Sequence, residues 1–336
     1  MLRKRILSSA DYIEGILKGD KIRLAQAITL VESTLPAHLK IAEEIITACL
    51  PYSNQSIRIA ITGSPGVGKS TFIESLGLHI IEHAGRKPAV LAIDPSSQLN
   101  KGSILGDKTR MEGLSHNNAA FIRPSPAGTS LGGVARKTRE TIILCEAAGY
   151  DTIIIETVGV GQSEIKAKSM SDVFLLLLLP GAGDELQGIK RGIVEMADII
   201  AVNKSDKERQ ILARQAQRSY KNALHLFPIK ANDWSTPVLT CSAIEHQGIK
   251  EIWDEIQKYI AHCKSTGYFD SNRRSQSEYW FEEATAQFLE MLFYATPSVK
   301  DNLNILKDKV LNNELSPFNA AYQLMEVFKK NIVTDF

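Results

Sequence analysis

The segment from Gly63 to Ser70, which reads GSPGVGKS, decides the fold. It matches the pattern GxxxxGK[ST], follows the β-rich run Ile57–Thr62 and precedes the helical stretch Thr71–Ile81. Glycines in such a loop let backbone N–H groups close around phosphate oxygens, and the helix N-terminus favours negative charge. This chemistry assigns Lys69 to the β- and γ-phosphates and the hydroxyl of Ser70 to Mg²⁺. The predicted nucleotide-binding loop comprises Gly63, Ser64, Pro65, Gly66, Val67, Gly68, Lys69, Ser70 and Thr71.

Strand-like runs alternate with helical stretches through the middle of the chain. The runs are residues 57–62, 89–93, 120–122, 152–155, 173–179, 199–202 and 237–240. Such alternation predicts an α/β fold of the P-loop NTPase type, with a mostly parallel sheet flanked by helices. The most apolar run, Val173–Leu179, is far shorter than the roughly 20 residues that span a bilayer, and it is typical of a strand buried on both faces.

Helical patterns occupy both ends of the chain. Apolar residues recur at helical spacing from Asp11 to Leu50, and three helices are predicted at residues 277–294, 300–311 and 317–330. We therefore expect an N-terminal helical extension at 1–55, a P-loop GTPase domain at 56–262 and a C-terminal helical arm at 263–336. The amphipathic helices of the arm favour an oligomer, because an apolar stripe left uncovered meets a partner.

The composition excludes several classes of protein. The 336 residues include 39 Lys and Arg against 38 Asp and Glu, and 44% are apolar, which excludes intrinsic disorder. A net charge of +1 gives no reason to expect a nucleic-acid or membrane partner. The basic start lacks the apolar region of a signal peptide. The four cysteines are too dispersed for a disulfide framework or a zinc site, so a reducing cytoplasm is expected: Cys49, Cys145, Cys241 and Cys263.

A second motif, NKSD at Asn203–Asp206, follows the apolar run at 199–202. The carboxylate of Asp206 can accept two hydrogen bonds from guanine, whereas adenine lacks the matching donor on its ring nitrogen. An unpaired buried acceptor costs about 1–3 kcal/mol, so the motif favours GTP over ATP. Asn203 and Lys204 complete the candidate base site. Ser242 and Ala243 follow a later strand, where their backbone would meet the guanine O6 atom.

Three acidic residues are candidates for Mg²⁺ and the γ-phosphate. Asp94 and Glu156 end predicted strands, and ligands of open α/β sheets bind at the carboxyl ends of strands. Asp107 lies in the segment GSILGDKTR. Mg²⁺ prefers oxygen ligands of this kind, although a carboxylate at these positions is otherwise a helix N-cap or an ordinary loop residue.

Two glycine-rich segments follow strands at the same predicted sheet edge. Thr157–Gly161 and Pro180–Lys190 have few apolar anchors, so they are typical of switch loops that order against a γ-phosphate. The alternative is that both are ordinary connections between strands and helices. Arg136, Lys137 and Arg139 are expected to form a solvated helix face.

Nine ordered motifs together resemble the MeaB/ArgK/methylmalonic-aciduria type A family of P-loop GTPases, which belongs to the SIMIBI class. They are GSPGVGKST, AIDPSS, GSILGDKTRM, FIRPSPAGTSLGG, LCEAAGYD, IETVGVGQSE, GAGDELQGIKRG, VNKSD and TCSA. The resemblance implies a GTPase chaperone that gates adenosylcobalamin loading and protects methylmalonyl-CoA mutase. It also implies a homodimer formed through the C-terminal helices, with GTP or GDP and Mg²⁺ as ligands and no tightly bound organic cofactor.

The resemblance also implies roles for single residues. It implies that Mg²⁺ or its water shell is bound by Ser70, Asp94, Asp107 and Glu156. Guanine would be bound by Asn203, Lys204 and Asp206. The loop around Asp184, Glu185, Gln187 and Lys190 is similar to the family's third switch, which is implied to raise hydrolysis when the partner binds. Lys190 therefore joins Lys69 and Glu156 as a catalytic candidate. One departure is the segment Leu99–Gly102, where the family tends to be richer in glycine.

Hydrolysis is expected to proceed by in-line attack of water on the γ-phosphate. Ras-type enzymes orient this water with a glutamine that is missing at the matching position here. Glu156, acting through a water, or Gln162 would serve instead, and we expect slow basal turnover.

Two other functions compete with this interpretation. A metal-delivery GTPase of the same class needs Cys or His clusters, and a kinase or ATPase linked to amino-acid transport needs ATP selectivity. The GTPase chaperone remains the favoured hypothesis, and its partner is expected to be methylmalonyl-CoA mutase or a close relative such as isobutyryl-CoA mutase.

Overall fold

The computed structural model describes residues 7–33, 35–93, 111–124, 131–157, 162–181 and 191–334. The chain forms two compact units, residues 1–274 and residues 275–336. The functional division into three segments, with boundaries after residues 55 and 262, stays a prediction.

The first unit is built on a seven-stranded sheet in the order β3-β2-β4-β1-β5-β6-β7. Every pairing between neighbouring strands is parallel. The strands are β1 (Ile57–Gly63), β2 (Pro88–Ile93), β3 (Phe121–Arg123), β4 (Thr152–Thr157), β5 (Val173–Leu178), β6 (Ile199–Val202) and β7 (Val238–Thr240). All seven predicted runs are strands, which confirms the predicted fold class.

Strand β1 lies at the centre of the sheet, and all seven of its residues are buried. It pairs with β4 on one side, where Ile61 is opposite Glu156, and with β5 on the other, where Gly63 is opposite Leu177. Because the strands are parallel, the segments that follow β1, β4 and β5 leave the sheet at one edge. The loop that begins at Gly63 therefore starts beside Glu156.

Helices cover both faces of this sheet. They are α1 (Ser9–Leu17), α2 (Lys21–Glu32), α3 (Pro36–Cys49), α4 (Lys69–Ala84), α5 (Glu112–His116), α6 (Leu131–Ala147), α7 (Gln162–Lys168), α8 (Arg191–Met196), α9 (Gln210–Leu224) and α10 (Ile249–Ser265). Helices α4 and α10 contact each other, and Phe72, Leu76 and Trp253 belong to one apolar core with side chains of the central strands.

The N-terminal helices pack on α6. Asp20 caps α2, since its carboxylate accepts hydrogen bonds from the amides of Ile22 and Arg23 at 2.8 and 3.2 Å. An ion pair between Glu32 and Arg123 joins α2 to the end of β3, with Arg123 Nε at 3.0 Å from Glu32 Oε1. These contacts attach the predicted helical extension to the sheet.

The expectation that Arg139 belongs to a solvated helix face is wrong. One nitrogen of its guanidinium is fully buried, and Arg136 and Lys137 are only half-exposed. Burial lowers the pKa of Arg139 to about 10. The polar sequence of this segment hid the fact that α6 is covered by the N-terminal helices.

The second unit contains the end of α11 (Tyr268–Ala295), together with α12 (Pro297–Leu311) and α13 (Pro317–Thr334). Val299, Leu306, Ala320 and Leu324 form its small core. The predicted three helices are confirmed, but α11 begins at Tyr268 instead of Ser277. Many large apolar side chains of these helices are exposed, including Phe281, Phe288, Leu289, Leu292, Phe318 and Tyr322. None of the helices in the described ranges is long and apolar enough to cross a membrane.

Candidate nucleotide-binding site

The loop after β1 has a backbone that requires glycine. Gly68 lies in the left-handed region, with φ of 91°, at the N-cap of α4. A Cβ atom there would lie 2.9 Å from Asn203 Nδ2, and a Cβ on Gly63 would lie 2.5 Å from the carbonyl oxygen of Leu177. The glycines therefore serve both the turn and the close approach of β6 and β5.

Lys69 is the first residue of α4, and its ammonium group folds back over the loop. Nζ donates hydrogen bonds to the carbonyl oxygens of Gly63 at 2.9 Å and Ser64 at 3.3 Å. Burial lowers the pKa of Lys69 below its ordinary value of 10.5, and the carboxylates of Glu156 and Glu164 oppose this shift. The loop thus holds a partly buried cation at the helix N-terminus, where anions bind most readily.

The hydroxyl of Ser64 is a buried polar atom without a hydrogen-bond partner among the described residues. Buried polar groups are rarely left unpaired, because the loss of solvation costs about 1–3 kcal/mol. A phosphate oxygen in the loop would supply the missing partner. The loop therefore fits a phosphate ligand on the evidence of its own side chain.

Ser70 and Glu156 meet at the edge of the sheet, where Ser70 Oγ donates to Glu156 Oε1 at 3.1 Å. Both groups are the hard oxygen donors that Mg²⁺ prefers, so these two residues fit the metal. No cluster of three or more His, Cys, Asp or Glu side chains that could hold a metal occurs within the described part of the chain. The other two predicted ligands, Asp94 and Asp107, lie outside that part.

Asn203 joins three segments of the site. Its Nδ2 donates to the carbonyl oxygen of Val67 at 2.9 Å, and its Oδ1 accepts from the amide of Ala243 at 3.1 Å. The side chain is buried, and its backbone amide donates to Leu178 at the end of β5. The phosphate loop, the NKSD segment and the turn after β7 are therefore held together by one carboxamide.

Asp206 is held by the hydroxyl of Ser242, which donates to Asp206 Oδ1 at 2.5 Å. Ser242 is itself fixed by two backbone hydrogen bonds with Gln247 and by the amide of Glu245, which donates to its Oγ at 3.2 Å. Lys204 adopts a left-handed conformation with φ of 59°, which turns the chain between Asn203 and Asp206. The sequence pointed to the backbone of Ser242, and it missed that the side chain orients the carboxylate.

The amide of Ala243 donates to Asn203 in this structure, and its expected contact with guanine O6 stays a prediction. The catalytic candidate Lys190 lies outside the described residues, as do Asp184, Glu185 and Gln187. The same holds for the glycine-rich segment 158–161. Gln162 begins helix α7 just after that segment.

Three buried residues of the site were not singled out by the sequence. Thr62 is the next-to-last residue of β1, Thr157 follows Glu156 in β4, and Glu164 lies in the first turn of α7. All three are almost completely buried, with 1% exposure each. The available signal was their position within the motifs IRIAIT and IETVGVGQSE, since neither threonine nor glutamate is common in such a core.

A family model matches residues 24–298, and it describes the methylmalonyl-CoA mutase-associated GTPase MeaB. The chain belongs to this family. As a family member it is a P-loop GTPase that binds guanine nucleotide.

Relatives of this GTPase are similar to it over 94% of its chain. A probable GTPase of Mycobacterium tuberculosis is 47% identical over 94% of this chain and 95% of its own length. The GTPase ArgK of Escherichia coli is 43% identical over 94% of this chain and 96% of its own. The mitochondrial methylmalonic aciduria type A homolog of Mus musculus is 42% identical and covers 94% of this chain and 78% of its own.

A solved structure shares the fold of this GTPase. The crystal structure of an LAO/AO transport system kinase has a TM-score of 0.75 and 36% sequence identity, and it covers 97% of this chain and all of its own.

Proposed function

We propose that this GTPase hydrolyses GTP slowly on its own and uses the cycle to gate adenosylcobalamin loading of an acyl-CoA mutase, and to protect that mutase. Methylmalonyl-CoA mutase is the favoured partner. The observation that carries the partner is the family match, whose description names that mutase. The mouse relative is named a methylmalonic aciduria type A homolog, and this name supports the same partner.

The base site supports selectivity for guanine. Asp206 would accept hydrogen bonds from the N1 and exocyclic amino groups, and Ser242 would keep its carboxylate in position. Asn203 and Lys204 would place the base beside the phosphate loop. This arrangement disfavours the alternative of an ATP-dependent kinase, because adenine would leave the carboxylate without a donor.

The phosphate site supports hydrolysis through charge stabilisation. Lys69 would exchange its two carbonyl partners for the β- and γ-phosphates, and the loop amides would bind the same oxygens. Ser70 and Glu156 would hold Mg²⁺ directly or through water, together with Asp94 and Asp107. When bound, the ion neutralises charge that develops on the phosphates. Glu156, through a water, or Gln162 would orient the attacking water.

The protein is proposed to act as a cytoplasmic homodimer. The exposed aromatic side chains of the second unit, such as Phe281, Phe288 and Phe318, support assembly through the C-terminal helices. Lys190 and its neighbouring loop are proposed to communicate with the mutase and to raise the rate of hydrolysis.

The test is GTP turnover by the purified protein alone and with an adenosylcobalamin mutase of the same genome, with ATP as the control nucleotide. We expect a basal rate well below about 1 s⁻¹, GTP selectivity, and acceleration by the mutase. Lys69→Ala should abolish turnover. The matched control Lys250→Ala should not, since that exposed lysine forms its ion pair with Asp254 on its own helix.

Two results would change the proposal. A GTPase whose rate no mutase alters would separate the hydrolysis from the chaperone role and favour metal delivery. Rapid basal turnover without any partner would contradict the regulated cycle.

A further inference from the structure

A buried carboxylate lies behind the phosphate loop. Glu164 is 1% exposed, and its two oxygens accept hydrogen bonds from hydroxyl groups. Ser163 Oγ donates to Oε2 at 3.1 Å, and Thr62 Oγ1 donates to Oε1 over a longer distance of 3.5 Å. Glu164 also lies close enough to Lys69 to favour the charged form of that lysine.

The hydrogen bonds continue from Glu164 into the sheet. Thr157 Oγ1 donates to Thr62 Oγ1 at 2.9 Å, so a directed chain runs from Thr157 through Thr62 to the carboxylate. Thr62 immediately precedes the first glycine of the loop, and Thr157 immediately follows Glu156. The chain therefore connects the ends of β1 and β4 with the first turn of α7.

The burial of a carboxylate in this position is energetically unfavourable. Glu164 forms no ion pair with a described residue, and burying a carboxylate in this way is less favourable than burying an apolar side chain of similar size. Hydrogen-bonded networks of this kind instead fix one geometry. Here the geometry that is fixed is that of α7, whose first residue, Gln162, follows the segment 158–161.

We propose that Glu164 is a positioning residue for GTP hydrolysis. Through Thr62 and Thr157 it holds the start of α7 against the strand ends that carry the phosphate loop and Glu156. It does not contact the nucleotide. Its loss would displace the start of α7 while leaving the guanine site and the loop backbone intact.

The experiment compares kcat with KM. Glu164→Ala should lower kcat for GTP at least about tenfold, while KM and the affinity for GDP change less than about threefold. Glu164→Gln keeps a side-chain oxygen that can accept from Thr62, so it should recover kcat to within about threefold of the original protein. A residue that only supports the fold would lower thermal stability and leave kcat of the folded fraction unchanged.

Thr62→Val supplies a second variant in case Glu164→Ala does not fold. It keeps the volume and removes the hydroxyl link, and it should lower kcat in the same way. Its matched control is Thr141→Val, another buried threonine, whose hydroxyl donates to the carbonyl oxygen of Lys137 within its own helix at 2.8 Å. An unchanged kcat in folded Glu164→Ala or Thr62→Val overturns the proposal, and so does a Glu164→Gln variant as slow as the alanine variant.

Discussion

Arg273 and Asp172 form a two-pronged ion pair, in which Arg273 Nε donates to Oδ1 and Nη2 to Oδ2, each at 2.8 Å. The same guanidinium donates to the carbonyl oxygens of Asn54 and Ser56 at 2.7 Å. Asp172 also accepts from the amide of Arg58 at 2.8 Å. The start of helix α11 is thus attached to the amino ends of β1 and β5, opposite the edge that carries the nucleotide site.

Removal of one partner of this pair should destabilise the first unit strongly. The side chains of Arg273 and Asp172 are only 11% and 2% exposed, so Arg273→Ala leaves a buried charge unpaired. We expect a loss of about 3–5 kcal/mol in the free energy of unfolding, measured by urea denaturation. Lys329→Ala, which breaks an exposed pair with Glu326, is the control and should cost at most about 1 kcal/mol. Equal stability losses in the two variants would contradict a structural role for the buried pair.

A second buried ion pair, between Glu146 and Arg58, predicts how the stability of the fold depends on pH. Burial alone would raise the pKa of Glu146, but the Arg58 guanidinium and hydrogen bonds from Ser56 and Asn54 hold it below its ordinary value of 4.5. The contribution of the Glu146 carboxylate to the free energy of unfolding is therefore fully present above pH 4.5. It is lost as the pH falls through the lowered pKa.

The variant that tests this is Glu146→Gln. At about pH 7 it should be clearly less stable than the original protein, and this difference should shrink as the solution is acidified to about pH 3. Chemical denaturation across that range measures both curves. A difference independent of pH would show that the charge of Glu146 does not stabilise the fold.

Base selectivity should depend on Asp206 and its orienting hydroxyl. Asp206→Asn should weaken GTP binding by about 10- to 200-fold and gain binding of xanthosine triphosphate, whose donor and acceptor pattern matches an amide. Ser242→Ala should give a smaller loss, because the carboxylate remains but is no longer fixed. Titration with fluorescent analogues of both nucleotides provides the measurement. Unchanged preference in Asp206→Asn would remove that residue from the base site.

Gly68 and Gly85 offer a matched test of the phosphate loop, since they flank helix α4 and both have positive φ. Gly68→Ala places a Cβ 2.9 Å from Asn203 Nδ2, whereas the same change at Gly85 meets nothing within 4 Å. We expect Gly68→Ala to lower the affinity for GDP at least about tenfold, because strain of roughly 1–3 kcal/mol falls on the loop. Gly85→Ala should cost stability only. Equal affinities of the two variants for GDP would refute this steric argument.

The strands were predictable because their signal is local. The apolar runs at Val173–Leu179 and Ile199–Val202 needed no knowledge of their neighbours, and the GxxxxGK[ST] match located the end of β1. The beginning of α11 was missed because its first turns, which read YFDSNRRSQSE, lack an apolar stripe. Arg273 stabilises those turns through a partner about a hundred positions away in the sequence, and no local pattern encodes such a contact.

The sequence predicted those site residues that belong to a motif. It did not predict contacts between residues that only the fold brings together. Lys69, Ser70, Asn203 and Asp206 each belong to a recognisable pattern. The hydrogen bond from Ser242 to Asp206 depends on the small bend in which Ser242 pairs with Gln247 after β7, and Ser242 and Asp206 lie 36 positions apart in the sequence. Glu164 escaped notice for the same reason, since its partner Thr62 is distant in the sequence.

The central position of β1 in the sheet predicts how slowly its amide hydrogens exchange with solvent. Its amide groups are hydrogen-bonded to strands on both sides and shielded by helices on both faces, so they should exchange with deuterium only when the whole first unit unfolds. The edge strand β3, with three residues and one neighbour, should exchange much sooner. The phosphate loop therefore follows directly from a strand that should open far more slowly than β3, so nucleotide can leave and return while this strand stays hydrogen-bonded.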